Sequence, residues 1–181
     1  MIYFSADTHF SHTNIIKYCN RPFENAEQMN ETMISNWNSV VKENDDVYFL
    51  GDFGLGTEKQ LLSIYNRLNG RKFLITGSHD KHSMNLPWSG IDARKVISVE
   101  GIPITLCHYA MRTWSKSHFN SWHLYGHSHG RLQPFGKSFD VGVDAWKFFP
   151  VSFYDVKVKM SSLEDNFNLV KRMPSKGETD E

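Results

Sequence analysis

Five short polar clusters interrupt this chain, and most of them follow an apolar run that predicts a β-strand. The clusters are Asp7-Thr8-His9, Gly51-Asp52, Gly77-Ser78-His79-Asp80, Cys107-His108 and Gly126-His127-Ser128-His129. Residues that follow the carboxyl ends of parallel strands gather at one edge of a sheet. We therefore expect the polar side chains of these clusters to converge on one cleft.

Residues 1–80 alternate between strand and helix patterns. Apolar runs at 2–5, 47–50 and 72–76 predict three strands. Between the first two, residues 12–19 predict a short helix or turn, and 26–42 predict a longer helix with Asn25 as N-cap. Capping-box spacing from Thr57 to Gln60 begins another helix, which Gly70 ends. This β-α-β-α-β order predicts a parallel sheet covered by helices.

The second half of the chain has a different pattern. Two strand-like segments, 95–99 and 102–107, flank Glu100-Gly101 and predict a hairpin. Further extended segments are expected near 122–125, 138–143 and 150–153, followed by a helix over 155–160. We interpret this half as antiparallel. The predicted fold class is α/β, with two facing mixed β-sheets flanked by helices in one domain over 1–174, followed by a polar C-terminal tail at 175–181.

Composition limits the classes of partner and the cellular compartment. Twenty basic and twenty acidic residues cancel, so no overall field attracts the protein to nucleic acid or membranes. The two cysteines, Cys19 and Cys107, lack metal or disulfide spacing and predict reduced thiols in a cytoplasmic protein. We find no signal-peptide pattern at the start, and no apolar stretch of the roughly 18 residues that a bilayer requires.

The residue types in the clusters favour metal chemistry. A mixture of Asp and His at strand ends suits a pair of divalent metals, which can convert water into a nucleophile at neutral pH. Taken alone, Asp7 could cap a helix and Gly51-Asp52 could be an ordinary strand exit. The alternate histidines His127 and His129 are the most specific single cluster. Together, the five clusters predict a metal-dependent hydrolase.

In their order along the chain, these clusters resemble the motifs of the calcineurin-like metallophosphoesterase superfamily. The matching motifs are Asp-x-His, Gly-Asp, a Gly-x-His-Asp tetrad, His and Gly-His-x-His, and they span Asp7 to His129, about two-thirds of the chain. The resemblance implies a β-sandwich flanked by helices, with a dinuclear metal centre at the carboxyl ends of the strands. It also implies hydrolysis of a phosphodiester or phosphomonoester by attack of a metal-bridging hydroxide.

The resemblance assigns a role to each motif residue. The implied metal ligands are Asp7, His9 and His129 for the first ion, Asp52 as a bridge between the ions, and His108, His127 and position 78 for the second. His79 is implied to face the phosphate and the leaving group as a catalytic residue. We expect Asp80 to orient the His79 ring and to keep it cationic.

Position 78 departs from the superfamily, which normally has Asn there. Ser78 presents a shorter, neutral hydroxyl and is a poorer ligand than an amide oxygen. We therefore expect weaker binding of the second metal and reduced turnover.

Other residues near the motifs are candidates for substrate contact. His12, Arg21 and Arg112 could bind phosphate oxygens, although a solvated surface position is an alternative for each of them. Asp140 and Asp144 bracket a strand, and one of them could support a ligand histidine. Mn²⁺ is our first choice of cofactor because it accepts mixed oxygen and nitrogen ligands, and Fe, Zn²⁺ and Ni²⁺ remain open.

A small chain without an evident cap domain favours a small phosphate ester, such as a nucleotide, as the substrate. A non-catalytic scaffold of the same fold is one alternative, supported only by Ser78. A nuclease acting on nucleic-acid ends is another, and the neutral net charge counts against it. A zinc-dependent amide or ester hydrolase would use similar residues without requiring this order of motifs.

Overall fold

The computed structural model describes residues 1–170, in which two β-sheets are packed with helices. The strands in this range are β1 (Ile2–Ser5), β2 (Asp46–Phe49), β3 (Arg71–Ile75), β4 (Ile91–Asp92), β5 (Arg94–Val99), β6 (Ile102–Cys107), β7 (Trp122–Tyr125), β8 (Ser138–Asp140) and β9 (Val151–Ser152). The α-helices are α1 (Thr13–Tyr18), α2 (Ala26–Val40), α3 (Glu58–Tyr65) and α4 (Phe153–Ser161). The predicted tail at 175–181 lies outside the described residues. Within 1–170, no helix has the length and apolar character needed to cross a membrane.

Both sheets are mixed. The first has the order β4-β3-β2-β1-β9, in which β1 to β4 are parallel and β9 is antiparallel to β1. The second has the order β5-β6-β7-β8, in which β5 is antiparallel to β6 and the other pairs are parallel. The predicted fold class, two mixed sheets flanked by helices, is confirmed.

Alternate residues of β1 contribute to two separate hydrophobic clusters, as expected for a strand whose side chains alternate between faces. Tyr3 belongs to the cluster that contains Trp37 of α2. Phe4 belongs to the cluster that contains Leu124 of β7 and Val156 of α4. The first sheet therefore packs against α2 on one face and against the second sheet and α4 on the other.

Local sequence signals account for several element boundaries. The Asn25 side chain accepts a hydrogen bond from the Gln28 backbone N–H at 2.9 Å and caps α2. Thr57 and Gln60 form the predicted capping box at the start of α3. Glu100-Gly101 joins β5 to β6 with φ values of 50° and 78°, which suits a tight hairpin turn.

The prediction of an antiparallel second half is wrong for most of its sheet. The segments 108–121 and 126–137 are long enough to return the chain to the same end of the sheet, so β6, β7 and β8 run parallel. Helix α3 ends at Tyr65 instead of reaching Gly70. After Tyr65 the chain continues in tighter 3₁₀-type turns, because the N–H groups of residues 67 and 68 donate to carbonyls three residues earlier.

The two sheets meet at one isolated bridge between Ala6, just after β1, and Gly142, just after β8. Strand β8 consequently ends at Asp140, before the predicted end at Val143, and Val143 donates a backbone hydrogen bond to Ala6 at 3.0 Å. This bridge joins the carboxyl-terminal edges of both sheets into one continuous edge.

Candidate metal centre

The predicted polar clusters lie together along this joined edge. They follow β1, β2, β3, β6 and β7, at Asp7, Asp52, 77–80, His108 and 126–129 respectively. Backbone hydrogen bonds connect the loops: Asp7 donates to Gly51 at 2.9 Å, and Gly126 donates to His108 at 3.0 Å. The parallel direction of these strands is what brings distant motifs to one place.

Candidate ligands in these loops have left-handed backbone conformations that non-glycine residues adopt uncommonly. The φ values are 58° at Asp7, 49° at His9, 60° at Asp52, 64° at His127 and 49° at His129. Such conformations cost about 1–3 kcal/mol each and tend to cluster at functional sites. The surrounding fold therefore imposes these conformations and fixes the directions of the five side chains.

The first candidate metal group consists of Asp7, His9 and His129, whose ligand atoms lie within 4.8 Å of one another. Asp7 Oδ2 accepts a hydrogen bond from the His127 backbone N–H at 2.8 Å. Within residues 1–170, Asp7 Oδ1 and both ring nitrogens of His9 are buried without a hydrogen-bond partner. Buried polar atoms in native proteins are nearly always satisfied, so these atoms fit a ligand that is not part of the protein.

His129 is oriented by a buried ion pair behind the first group. Its Nδ1 donates to Asp144 Oδ2 at 2.7 Å, because a carboxylate can only accept. The same carboxylate receives two hydrogen bonds from the Arg21 guanidinium, each of 2.8 Å. This arrangement leaves His129 Nε2 available to a metal, and it gives Asp144 the supporting role considered for it from the sequence.

The prediction that Arg21 binds phosphate is wrong. Its side chain is completely buried, and besides Asp144 it donates to the carbonyls of Thr8 at 2.9 Å and Asp7 at 2.7 Å. All of its nitrogens are used within the protein. Arg21 therefore holds the Asp7–His9 loop from behind and has no free donor for a substrate.

The second candidate group consists of Asp52, His108 and His127, again with ligand atoms within 4.8 Å of one another. His108 Nδ1 donates to the Leu50 carbonyl at 2.7 Å, which leaves Nε2 as the acceptor nitrogen in the neutral ring. This Nε2 is buried and has no hydrogen-bond partner among residues 1–170. Asp52 and His108 are buried, whereas His127 is exposed.

The Asp52 carboxylate lies between the two groups. Its Oδ2 is 3.7 Å from His9 Nε2 and 3.5 Å from His108 Nε2. Its Oδ1 accepts a hydrogen bond from the His79 backbone N–H at 2.8 Å. The Asp52 carboxylate thus lies close to one histidine of each group. This is the position that the resemblance to metallophosphoesterases implies for a ligand that bridges two metal ions.

Ser78 lies next to this shared carboxylate. Its Oγ is 3.2 Å from Asp52 Oδ2 and 3.4 Å from Oδ1, and the residue is exposed. The hydroxyl is therefore beside the second group, where the sequence predicts a ligand. Its coordination of a metal stays a prediction.

Two histidines flank the first group. The His9 ring centroid is 5.8 Å from that of His79 and 5.6 Å from that of His12. His79 is exposed, whereas His12 is half-buried and its Nδ1 has no hydrogen-bond partner in the described part of the chain. Both rings are near enough to the candidate metal centre to contact a bound phosphate, and their catalytic and substrate-binding roles stay predictions.

The prediction that Asp80 orients the His79 ring is also wrong. Its two oxygens accept hydrogen bonds from the backbone N–H groups of Asp52, Phe53 and Gly77, at 2.9, 3.0 and 2.7 Å, and from the Ser83 hydroxyl at 2.7 Å. With these four bonds the buried carboxylate is fully occupied and does not orient the His79 ring. Asp80 instead ties the β2 loop to the β3 loop and so fixes the position of Asp52.

Arg112 lies on an exposed surface and not among the candidate ligands. Its guanidinium carbon is 4.9 Å from the Phe135 ring centroid and 5.9 Å from that of Phe167. These distances are typical of cation–π contacts. Its predicted contact with phosphate stays a prediction.

Two glycines allow the backbone to approach Asp7 closely. A Cβ atom at Gly126 or at Gly142 would lie 2.6 Å from Asp7 Oδ2, which is shorter than any ordinary contact. The Asp7 carboxylate is therefore closely approached by the main chain of the loops after β7 and β8, two strands of the second sheet.

The electrostatic environment suits cations. Burial, assisted by the negative charges of Asp140 and Asp52, raises the pKa of Asp7 well above its usual value. Burial, assisted by the nearby His129 and Arg21, lowers the pKa of His9 to about 2. The His9 imidazole is thus neutral, and its lone pair is available to a metal. A bound cation would also reduce the repulsion between the Asp7 carboxylate and the carboxylates near it. We conclude that these residues fit divalent metals.

Other residues around the site gave only a weak signal in the sequence. Cys19, His129 and Asp144 form a further group with ligand atoms within 4.8 Å, although Cys19 was interpreted only as a reduced thiol. Asp140 accepts hydrogen bonds from the Gly130 N–H at 2.9 Å and the Gly142 N–H at 2.6 Å. Spacing of Asp140 and Asp144 around a strand was the only available indication of their importance.

Comparisons with known proteins give one extensive sequence relative. The uncharacterized protein MJ1445 of Methanocaldococcus jannaschii is 39% identical over 168 residues, which cover 88% of this chain and 90% of that protein. No family model matches the chain.

Two solved structures are also similar. A protein of unknown function, AQ665 from Aquifex aeolicus, has a TM-score of 0.70 and 26% identity, covering 88% of this chain and 98% of that chain. The phosphoesterase YfcE from E. coli has a TM-score of 0.44 and 16% identity over 78% of this chain and 77% of that chain. The second similarity is too low to support an argument about fold or activity.

Proposed function

We propose that this chain, which belongs to the same family as the uncharacterized protein MJ1445 of Methanocaldococcus jannaschii, is a metal-dependent phosphoesterase. The observation that carries the proposal is the Asp52 carboxylate, which lies between two groups of candidate ligands with unpartnered, buried atoms. Such an arrangement suits two neighbouring divalent ions that share one carboxylate.

In this proposal each ion has its own set of ligands. Asp7, His9 and His129 hold the first ion, His108 and His127 hold the second with Ser78 beside it, and Asp52 bridges the two. Mn²⁺ is the preferred ion, and Fe, Zn²⁺ and Ni²⁺ suit the same mixed ligands.

Bound divalent ions would supply the Lewis acidity that allows water to attack phosphorus at neutral pH. The chain itself would supply orientation and proton transfer. The exposed His79 ring, whose backbone is anchored to Asp52 Oδ1 at 2.8 Å, would stabilise the phosphate or protonate the departing oxygen. His12, whose ring centroid is 5.6 Å from that of His9, would contact the phosphate.

We propose a small phosphate ester as the substrate, either a diester or a monoester. The balance of twenty basic and twenty acidic residues gives no overall attraction to a polynucleotide, which disfavours the nuclease alternative. The cytoplasmic location expected from the sequence stays a prediction. The retained set of six candidate ligands disfavours the non-catalytic scaffold.

The proposal is tested by hydrolysis of bis(4-nitrophenyl) phosphate and 4-nitrophenyl phosphate by chelator-stripped protein. Mn²⁺, Zn²⁺, Ni²⁺ and Fe²⁺ are added singly, and Mg²⁺ serves as a hard-ion comparison. Turnover that requires one of these metals and disappears on chelation supports the proposal, and the ratio of the two rates separates diesterase from monoesterase. If no metal gives turnover of either ester, the scaffold alternative replaces the proposal.

A further inference from the structure

We propose that an aromatic surface beside the second metal group binds the base of a nucleotide, an inference that rests on the proposed phosphoesterase function. This surface, called here the base subsite, consists of Tyr109 and the adjoining cleft that contains Arg112 and Phe135. It would give the site a substrate class, nucleotides, which the metal ligands alone do not specify.

Tyr109 is an exposed aromatic residue in contact with the second group. Its ring centroid is 4.8 Å from the His108 ring and 4.8 Å from the His127 ring, yet 47% of the residue is exposed. A molecule held at the second group would therefore extend past this ring. Stacking on aromatic side chains is a common way for proteins to hold nucleobases, because every base has a π face.

A cleft of about 340 Å³ begins at Ala110, the residue that follows Tyr109 in the chain. Its lining includes Ala110, Met111, Arg112, Tyr125, Leu132 and Phe135. Ala110 directly follows Tyr109, and Tyr125 is two residues before His127, so the cleft adjoins both loops that carry the histidines of the second group. Its volume and its largely apolar lining are typical of small-ligand sites.

Arg112 supplies a positive charge within this apolar lining. Its guanidinium stacks on Phe135 at 4.9 Å and approaches Phe167 at 5.9 Å, and none of the ion pairs among residues 1–170 includes Arg112. Guanidinium planes stack on bases as well as binding phosphate oxygens. Because the chain has no net charge, this local cation would matter for recognition.

The chemistry of this surface favours a base over other organic groups. Aromatic rings and an arginine offer stacking, whereas a sugar phosphate without a base would need hydrogen-bonding walls. A phosphoprotein would need a broader docking surface than one cleft of this size. An ester that places its phosphate at the metals and its base over Tyr109 satisfies both parts of the site.

The test compares two ligands that differ only in the base, adenosine 5′-monophosphate and ribose 5-phosphate. Their dissociation constants are measured by titration calorimetry with Mn²⁺-loaded protein. We expect the nucleotide to bind about tenfold more tightly, as one stacked base provides. Tyr109→Ala should abolish the difference and Tyr109→Phe should retain it.

Tyr154→Ala is the matched control. Tyr154 is 72% exposed on α4, and it lies beside Met1 and Ile2 at the opposite end of β1 from Asp7. This variant should keep the full preference for the nucleotide. Circular dichroism establishes that each variant is folded, and removal of an exposed ring at either position should leave the fold intact.

Equal affinities for the two ligands, binding of neither, or an unchanged preference in Tyr109→Ala would each overturn the base subsite. The outcome of the phosphoesterase assay is independent of this binding test. Base-dependent binding without turnover of any ester would support the subsite and remove the proposed function. Turnover without a preference for the base would support the function and remove the subsite.

Discussion

The Asp52 carboxylate lies between the two candidate metal groups, but the surrounding protein holds their remaining ligands very differently. In the first group, Asp7 and His9 are 0% and 3% exposed, and His129 is fixed by Asp144 and Arg21. In the second group only His108 is comparably fixed, by the Leu50 carbonyl, while His127 is exposed. Ser78 lies beside this group, with its hydroxyl 3.2 Å from Asp52 Oδ2, and is exposed.

This difference shows how a site can be pre-organised on one side and open on the other. Buried ligands with fixed orientations need no rearrangement to bind an ion, so the first group should have the higher affinity. Exposed ligands provide access for substrate at the cost of affinity. We therefore expect the two ions to bind in sequence, with the second dissociating more readily.

The largest expected effect comes from changing Asp52, which lies between the two groups. Asp52→Asn should lower phosphoesterase kcat/KM by about a hundredfold to a thousandfold, because in the proposed centre this carboxylate would serve both ions. The matched control is Asp46→Asn at the start of β2, the strand that precedes Asp52, where the Asp46 side chain pairs with Arg71. Steady-state kinetics at saturating Mn²⁺ measure both variants. Equal losses in the two variants would contradict the assignment of Asp52.

An intermediate effect should follow from loosening the first group. Asp144→Asn removes the carboxylate that orients His129 and compensates the buried Arg21, so the first ion should bind about 10–100-fold more weakly. The change should also lower the free energy of unfolding, because it leaves a buried charge unpaired.

Calorimetric metal titration measures the effect of Asp144→Asn on metal affinity, and urea unfolding measures its effect on stability. The control is Asp155→Asn, at an exposed position in the first turn of α4. Unchanged affinity for the first ion would show that orientation of His129 does not contribute to binding.

A smaller effect should follow from strengthening the second group. Ser78→Asn provides an amide oxygen beside Asp52 and should tighten the second ion about tenfold, equivalent to about 1.4 kcal/mol. Turnover at limiting Mn²⁺ should rise with it, and the first affinity should not change. Ser63→Asn, at an exposed position in α3, is the control. If Ser78→Asn leaves both affinities unchanged, position 78 is not a ligand position.

The sequence was sufficient to predict the fold class and the residues that the structure brings together. Strand-ending clusters such as Asp7 and Asp52 are recognisable because a parallel sheet brings the ends of its strands to one edge. Helix caps such as Asn25 are local, so their contacts are determined within three or four residues. Six of the seven candidate ligands accordingly fall into the two groups, and their binding of metal stays a prediction.

The misassigned residues are those whose partners are distant in the chain. Arg21 was predicted to contact phosphate, but its partner Asp144 is 123 residues away and no local pattern reveals the pair. Asp80 was paired with its neighbour His79, whereas its carboxylate reaches back to the loop after β2. The parallel direction of β7 and β8 was not predicted, because the connecting segments lack the helical periodicity that indicates a crossover between parallel strands.

The most direct test of the central claim is a calorimetric titration of Mn²⁺ into chelator-stripped protein, with Asp52→Asn titrated in parallel. We expect two ions per chain, the first bound more tightly than the second, and a loss of affinity for both in Asp52→Asn. Binding of fewer than two ions, or of two ions whose affinities do not depend on Asp52, would contradict a shared dinuclear centre.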